Sequence, residues 1–162
     1  MANYPMSWKM DVGVNHVPAY QVSGRPYVSG NINAMNASGA MVQFPYVTRW
    51  IYVVNHDPTE NCKIGFSRLG VNGEAPKPAD RTGTGAPAAA DGNSNFWFMV
   101  TASGGTSDRL ELKVSEIWLS GSHNVQVMAG LTTIRPVRIS SGSSADPSDG
   151  TYRSWSGSAG VG

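Results

Sequence analysis

Apolar residues recur at every second position along most of this chain, the spacing that places them on one face of a β-strand. Residues 46–54 show it most fully: Val47, Arg49, Ile51 and Val53 fall on one face, and Tyr46, Thr48, Trp50, Tyr52 and Val54 on the other. β-branched and aromatic residues dominate the run, Pro45 precedes it, and Asn55-His56-Asp57-Pro58 follows as a turn, so it predicts a strand covered on both sides. Residues 62–69 align Cys62, Ile64 and Phe66, while residues 96–100 alternate Phe96, Phe98 and Val100 with Trp97 and Met99. Residues 28–35 and 40–44 are weaker strand candidates, joined by Asn36-Ala37-Ser38-Gly39.

In residues 109–119 the pattern changes phase. Leu110, Leu112 and Val114 share a face, but the next apolar positions are Ile117 and Leu119. One extra residue near Ser115 and Glu116, a β-bulge, would restore the register. Gly121-Ser122 then turns the chain into Val125, Val127, Ala129 and Leu131. A last strand is expected over residues 133–139, where Pro136 indicates an edge position or a bulge. Seven or eight strands with no convincing helix predict an all-β antiparallel sandwich or barrel, with Ile51, Val53, Phe98, Leu112 and Val127 in the shared core.

Three stretches do not read as core. Residues 1–25 mix Tyr4, Trp8 and Tyr20 with Pro5 and Pro18, as an extended N-terminal arm would. Residues 72–95 form a long loop rich in Gly, Ala and Pro. Residues 140–162 are mostly Ser, Gly, Asp and Ala, interrupted by Tyr152, Arg153 and Trp155. Such a tail has too few apolar groups to fold alone. The expected organisation is therefore an arm over 1–25, a sandwich over 26–139 carrying the loop 72–95, and a second arm over 140–162. Tyr4, Trp8, Tyr152, Arg153 and Trp155, with Asp80 and Arg81 of the long loop, are the candidate contacts to another subunit.

Charge changes the picture most. Only 14% of residues are charged, against about 25% in ordinary soluble domains. Part of the surface is therefore expected to be covered by a partner, the other reading being the Ser/Asn/Thr surface common in β proteins. Twelve basic and eleven acidic residues give a net charge of +1, with no run of one sign, so no nucleic-acid partner is expected. No window has the apolar length of a membrane span, and no signal peptide opens the chain, so synthesis in a cytoplasm is expected. The single cysteine, Cys62, excludes an intrachain disulfide and reads as a buried small hydrophobe.

Candidate chemistry is sparse. His16, His56 and His123 lie far apart at no metal-ligand spacing. No serine sits in a nucleophile elbow. Glu111 and Glu116 could form a paired carboxylate site only if a bulge brings them to one face. Asp80-Arg81 and Asp108-Arg109 read as ion pairs or interface contacts. No enzyme, cofactor or metal site is expected.

The segments LELKVSEIWLSGSHNVQVMAGL (residues 110–131) and FPYVTRWIYVVN (residues 44–55) together resemble small single jelly-roll proteins on the outside of double-stranded DNA bacteriophage and virus capsids, the cement, decoration and vertex proteins. The resemblance is one of pattern over about residues 26–139, with no diagnostic residue set. It implies a jelly-roll sandwich of about eight strands and a structural role on the virion surface. It further implies self-association, often as a homotrimer, and clamping of neighbouring major capsid subunits. It offers no catalytic residue to carry over. The other expectation is a carbohydrate- or receptor-binding sandwich of a tail or fibre protein, with Trp50, Trp97 or Trp118 as a sugar platform.

Overall fold

Two antiparallel four-stranded sheets face each other in this protein, seen in a computed structural model that describes residues 17–21, 24–72 and 96–136. The elements run α1 (Val17–Gln21), β1 (Arg25–Ile32), β2 (Ala40–Gln43), β3 (Thr48–Asn55), β4 (Cys62–Gly65), α2 (Arg68–Asn72), β5 (Trp97–Val100), β6 (Gly105–Thr106), β7 (Glu116–Ser120) and β8 (Val125–Leu131). One sheet, A, has the order β1-β8-β3-β6; the other, B, has β2-β7-β4-β5. The pairs β1·β8, β2·β7, β3·β6 and β4·β5 are all present. The pairs β3·β8 and β4·β7 join them into the two sheets.

Alternation puts one side chain in two between the sheets. Ile51, Val53, Ile64, Ile117, Leu119, Val125 and Val127 are buried there, each contributing about 1.5–3 kcal/mol of apolar burial. Phe98 and Leu112 pack against them from partly exposed positions, and Tyr27 meets Phe44 edge-on at 5.0 Å. Of the five residues expected in the core, Ile51, Val53 and Val127 are fully buried, whereas Phe98 and Leu112 lie at its margin.

Several boundaries differ from the sequence reading. In β3 the register shifts between Thr48 and Trp50, so that Arg49 and Trp50 together oppose Gly130. Thr48, not Arg49, thus shares the inner face with Ile51; its hydroxyl donates to Leu112 O at 2.6 Å. Residues 109–119 are not one bulged strand. Leu110 forms an isolated bridge with Ile51 on sheet A, whereas β7 belongs to sheet B. The phase jump marks a crossing between sheets, along which Thr48 N donates to Val114 O and Phe44 N to Ser115 O. The strand expected over 62–69 stops at Gly65, because Ser67 accepts Gly70 N at 2.9 Å through its hydroxyl and starts the single turn of α2. Another turn, α1, lies inside the expected extended arm. Of the strand expected over 133–139, residues 133–136 are not extended into one, and residues 137–139 lie outside the described residues. Thr132 donates its hydroxyl to Val47 O and accepts Ile134 N, which bends the chain away. The eighth strand is instead the two-residue β6, which was not foreseen.

The edges of sheet A are blunted. Edge strand β1 carries Pro26 and an irregularity between Ser29 and Ile32, where Asn31 adopts φ 55°; β6 is too short to template another strand.

Candidate docking faces and a polar-sealed end

The outer face of sheet A is built in register from Pro26 and Val28 of β1, Gln126 and Met128 of β8, and Trp50, Tyr52 and Val54 of β3. Val28 lies opposite Met128, which lies opposite Tyr52, so three apolar side chains form one row across three strands. Val28 is 60% exposed. The outer face of sheet B repeats the theme only in part, because Val71 of α2 packs over Gly65 there. Met41 pairs with Trp118, Trp118 with Gly65 and Gly65 with Trp97, a row crossing all four strands. Met41 and Met99 are about half exposed, at 47% and 50%. Lys63 holds its ammonium 4.9 Å from the Trp97 ring centre, and Trp118 Nε1 donates to the buried Glu116 carboxylate at 3.1 Å.

At the N-terminal end of β3 three arginines are braced by aromatic rings and a carboxylate. Arg25 lies over Tyr46 at 5.0 Å and donates to its hydroxyl at 3.3 Å. Arg109 lies over Trp50 at 5.1 Å and pairs with Glu111 at 2.8 Å. Arg49 approaches the same carboxylate at 3.9 Å and donates to Gln21 O.

The opposite end, where the loops 55–61, 101–104 and 121–124 meet, is sealed by polar groups. Asn55 is fully buried; its amide donates to Glu60 O at 2.8 Å and Thr101 O at 3.2 Å, with Val100 O at 3.4 Å. Its carbonyl oxygen accepts from Asp57 N at 3.1 Å and Ser122 Oγ at 2.8 Å. Asp57 accepts from Thr59 N, Glu60 N and His123 N at 2.8–3.0 Å. Those N–H donors, that of Thr59 foremost, hold its carboxyl down from the ordinary 3.8 to about 2. The sequence showed these residues only as a turn; the Asn-x-Asp spacing was the one available signal.

Other candidates fall as follows. Tyr4, Trp8, Asp80, Arg81, Tyr152, Arg153 and Trp155 all lie outside the described residues, as does His16. Glu111 and Glu116 are not paired: the first lies between Arg109 and Arg49, the second under Trp118 on the other sheet. Arg109 pairs with Glu111 in place of its neighbour Asp108. His56 meets Gln126 at 3.0 Å, and His123 contributes its backbone N–H to Asp57. Burial pushes the Cys62 thiol up to about 12, which makes it a poor nucleophile. Among the described residues no three His, Cys, Asp or Glu side chains converge as a metal site would require, and no helix is long and apolar enough to cross a membrane. Compared with models of protein families, with curated proteins and with solved structures, the chain gives no match.

Proposed function

We propose that this chain is a structural virion protein, a capsid cement or decoration subunit. It self-associates and docks on the outer surface of the major capsid shell. The observation that carries the reading is the outer face of sheet A, where Val28, Met128 and Tyr52 stand in one cross-strand row and a domain working alone would be expected to present polar groups; on sheet B the row of Met41, Trp118 and Trp97 is interrupted at Gly65, over which Val71 of α2 packs. The pairing of β1 with β8 through β4 with β5 supports a jelly-roll reading of the sandwich, in keeping with the resemblance to capsid-exterior proteins. A homotrimer clamping neighbouring shell subunits would cover such faces.

A glycan-binding domain of a tail or fibre protein is the second reading, favoured by Trp97 and Trp118 sharing one row. It is weaker, because the Lys63 ammonium occupies one face of the Trp97 ring and both indoles are half-buried. Copy number separates the two. Mass spectrometry of purified particles is expected to find this chain in numbers comparable to the most abundant shell protein. A few copies per particle would favour the receptor-binding reading, and absence from particles would end both.

A further inference from the structure

The arginines at the N-terminal end of β3 carry an inference about partner chemistry. Arg25 and Thr48 both lie opposite Leu131, so strands β1 and β3 are two strand spacings apart there, about 10 Å. Arg25 stands in that row, Arg49 is the extra residue that follows Thr48, and Arg109 lies over Trp50 next to it. Five of the seven lysines and arginines among the described residues, these three with Lys113 and Arg135, belong to this end of the sandwich or the crossing segment beside it. The carboxylates near them are Asp108, Glu111 and the buried Glu116.

The form of the patch matters more than its net charge. A guanidinium stacked flat on an aromatic ring has its plane fixed, and its N–H edge remains directed outward. Arg25 and Arg109 are each held near a ring, 5.0 Å from the Tyr46 centre and 5.1 Å from the Trp50 centre, and by one acceptor each, Tyr46 Oη and the Glu111 carboxylate; Arg109 keeps 55% of its side chain exposed. A fixed fork of N–H donors matches a carboxylate's two oxygens, and prior ordering by the ring lowers the entropy lost on binding.

We propose that this end of sheet A docks a carboxylate-rich segment of a partner protein. A nucleic-acid backbone fits less well, because Glu111 lies between Arg49 and Arg109 with half its side chain exposed and would repel a continuous line of phosphates. Separate carboxylates can be spaced around it. The inference deepens the docking reading and rests on it for the biological partner.

The test uses the full chain and a fluorescent peptide carrying a glutamate at every third position of a Gly-Ser background, with anisotropy read at low and physiological salt. Binding is expected at low salt and should weaken as salt screens it. Arg25→Gln and Arg109→Gln should each weaken it about tenfold, the worth of one charge-assisted hydrogen-bond pair. Arg109→Lys, which keeps the charge but loses the fork, should not restore it, and Lys63→Gln should change nothing. No binding at low salt, full binding by Arg109→Lys, or tighter binding of a DNA oligonucleotide of equal charge would each overturn the proposal. The peptide titration reads the patch alone, whereas attachment to purified shells reads the docking role, so the two can fail separately.

Discussion

Replacing Asn55 by alanine removes the centre of the sealed end. The side chain is wholly buried and makes five polar contacts. Its amide has two hydrogens for three carbonyls, so the 3.4 Å contact to Val100 O is the weakest and four bonds carry the weight. A net hydrogen bond contributes about 1 kcal/mol, and a buried group left without a partner costs about 1–3 kcal/mol. Ser122 Oγ and Asp57 N are the buried groups left behind, while Glu60 and Thr101 are exposed and can recruit water. The expected loss is about 4 kcal/mol, from four bonds at about 1 kcal/mol each. With a urea dependence of about 2 kcal/mol per molar, the unfolding midpoint should fall by about 2 M. Equilibrium urea unfolding followed by tryptophan fluorescence measures it. Asn55→Asp adds a sign check, because it sets a carboxylate against the carbonyls that the amide served. That raises the folded-state pKa above the unfolded one, so the variant should gain stability relative to neutral pH as the medium is acidified towards pH 4 or so. A loss below about 1 kcal/mol for Asn55→Ala would refute the view that this residue holds the three loops together.

Three further outcomes are expected. Asp57 is held at about 2 in the folded chain against an ordinary 3.8, so its stabilising contribution is present above that ordinary value and disappears as pH falls through about 2; acid unfolding of Asp57→Asn should lack this component. Gly39 sits at φ +71°, where a Cβ would stand 2.8 Å from Leu119 O, so Gly39→Ala should cost about 2 kcal/mol in the same urea assay, while a neutral result would show that the β2 turn can relax. Cys62, buried with its thiol pushed up to about 12, should resist a maleimide until urea unfolds the chain; rapid labelling of the native protein would contradict its placement.

What could be read from sequence follows the range of the interactions. Alternation within β3 and β8 is local, and it identified Ile51, Val53 and Val127 as core. A period of two does not say which sheet a strand joins. The change of phase after Val114 was therefore visible, but its cause was not: the chain leaves the Ile51 bridge and enters β7 on the other sheet. The two-residue β6 carries no periodicity at all, and the α2 turn depends on one serine cap. Asn55 and Asp57 read as turn residues because their decisive partners, Ser122 and His123, lie 67 and 66 residues away. The arginine braces share that difficulty, since Arg25 finds its ring on Tyr46, 21 positions along the chain.

The contrast between the two ends bears on where recognition can occur. At the loop end Asp57 spends its oxygens on three backbone N–H groups, and Asn55 spends its amide and carbonyl on the loops. Any ligand there would have to replace bonds already made, at a cost of the order of 1 kcal/mol each. At the other end, Arg25 and Arg109 are braced by an aromatic ring together with one acceptor each, Tyr46 Oη and the Glu111 carboxylate. Stacking fixes a guanidinium without consuming all of its donors. The same is true of the outer faces, whose methionine and aromatic side chains are aligned by the sheet but still partly in water. On the docking reading proposed above, binding would fall at the end where strands and rings supply the order. A partner that approaches sheet A along β3 would meet both kinds of surface at once, apolar rows towards the middle and guanidinium edges at the rim. That arrangement matches a protein interface with an apolar centre and a polar border.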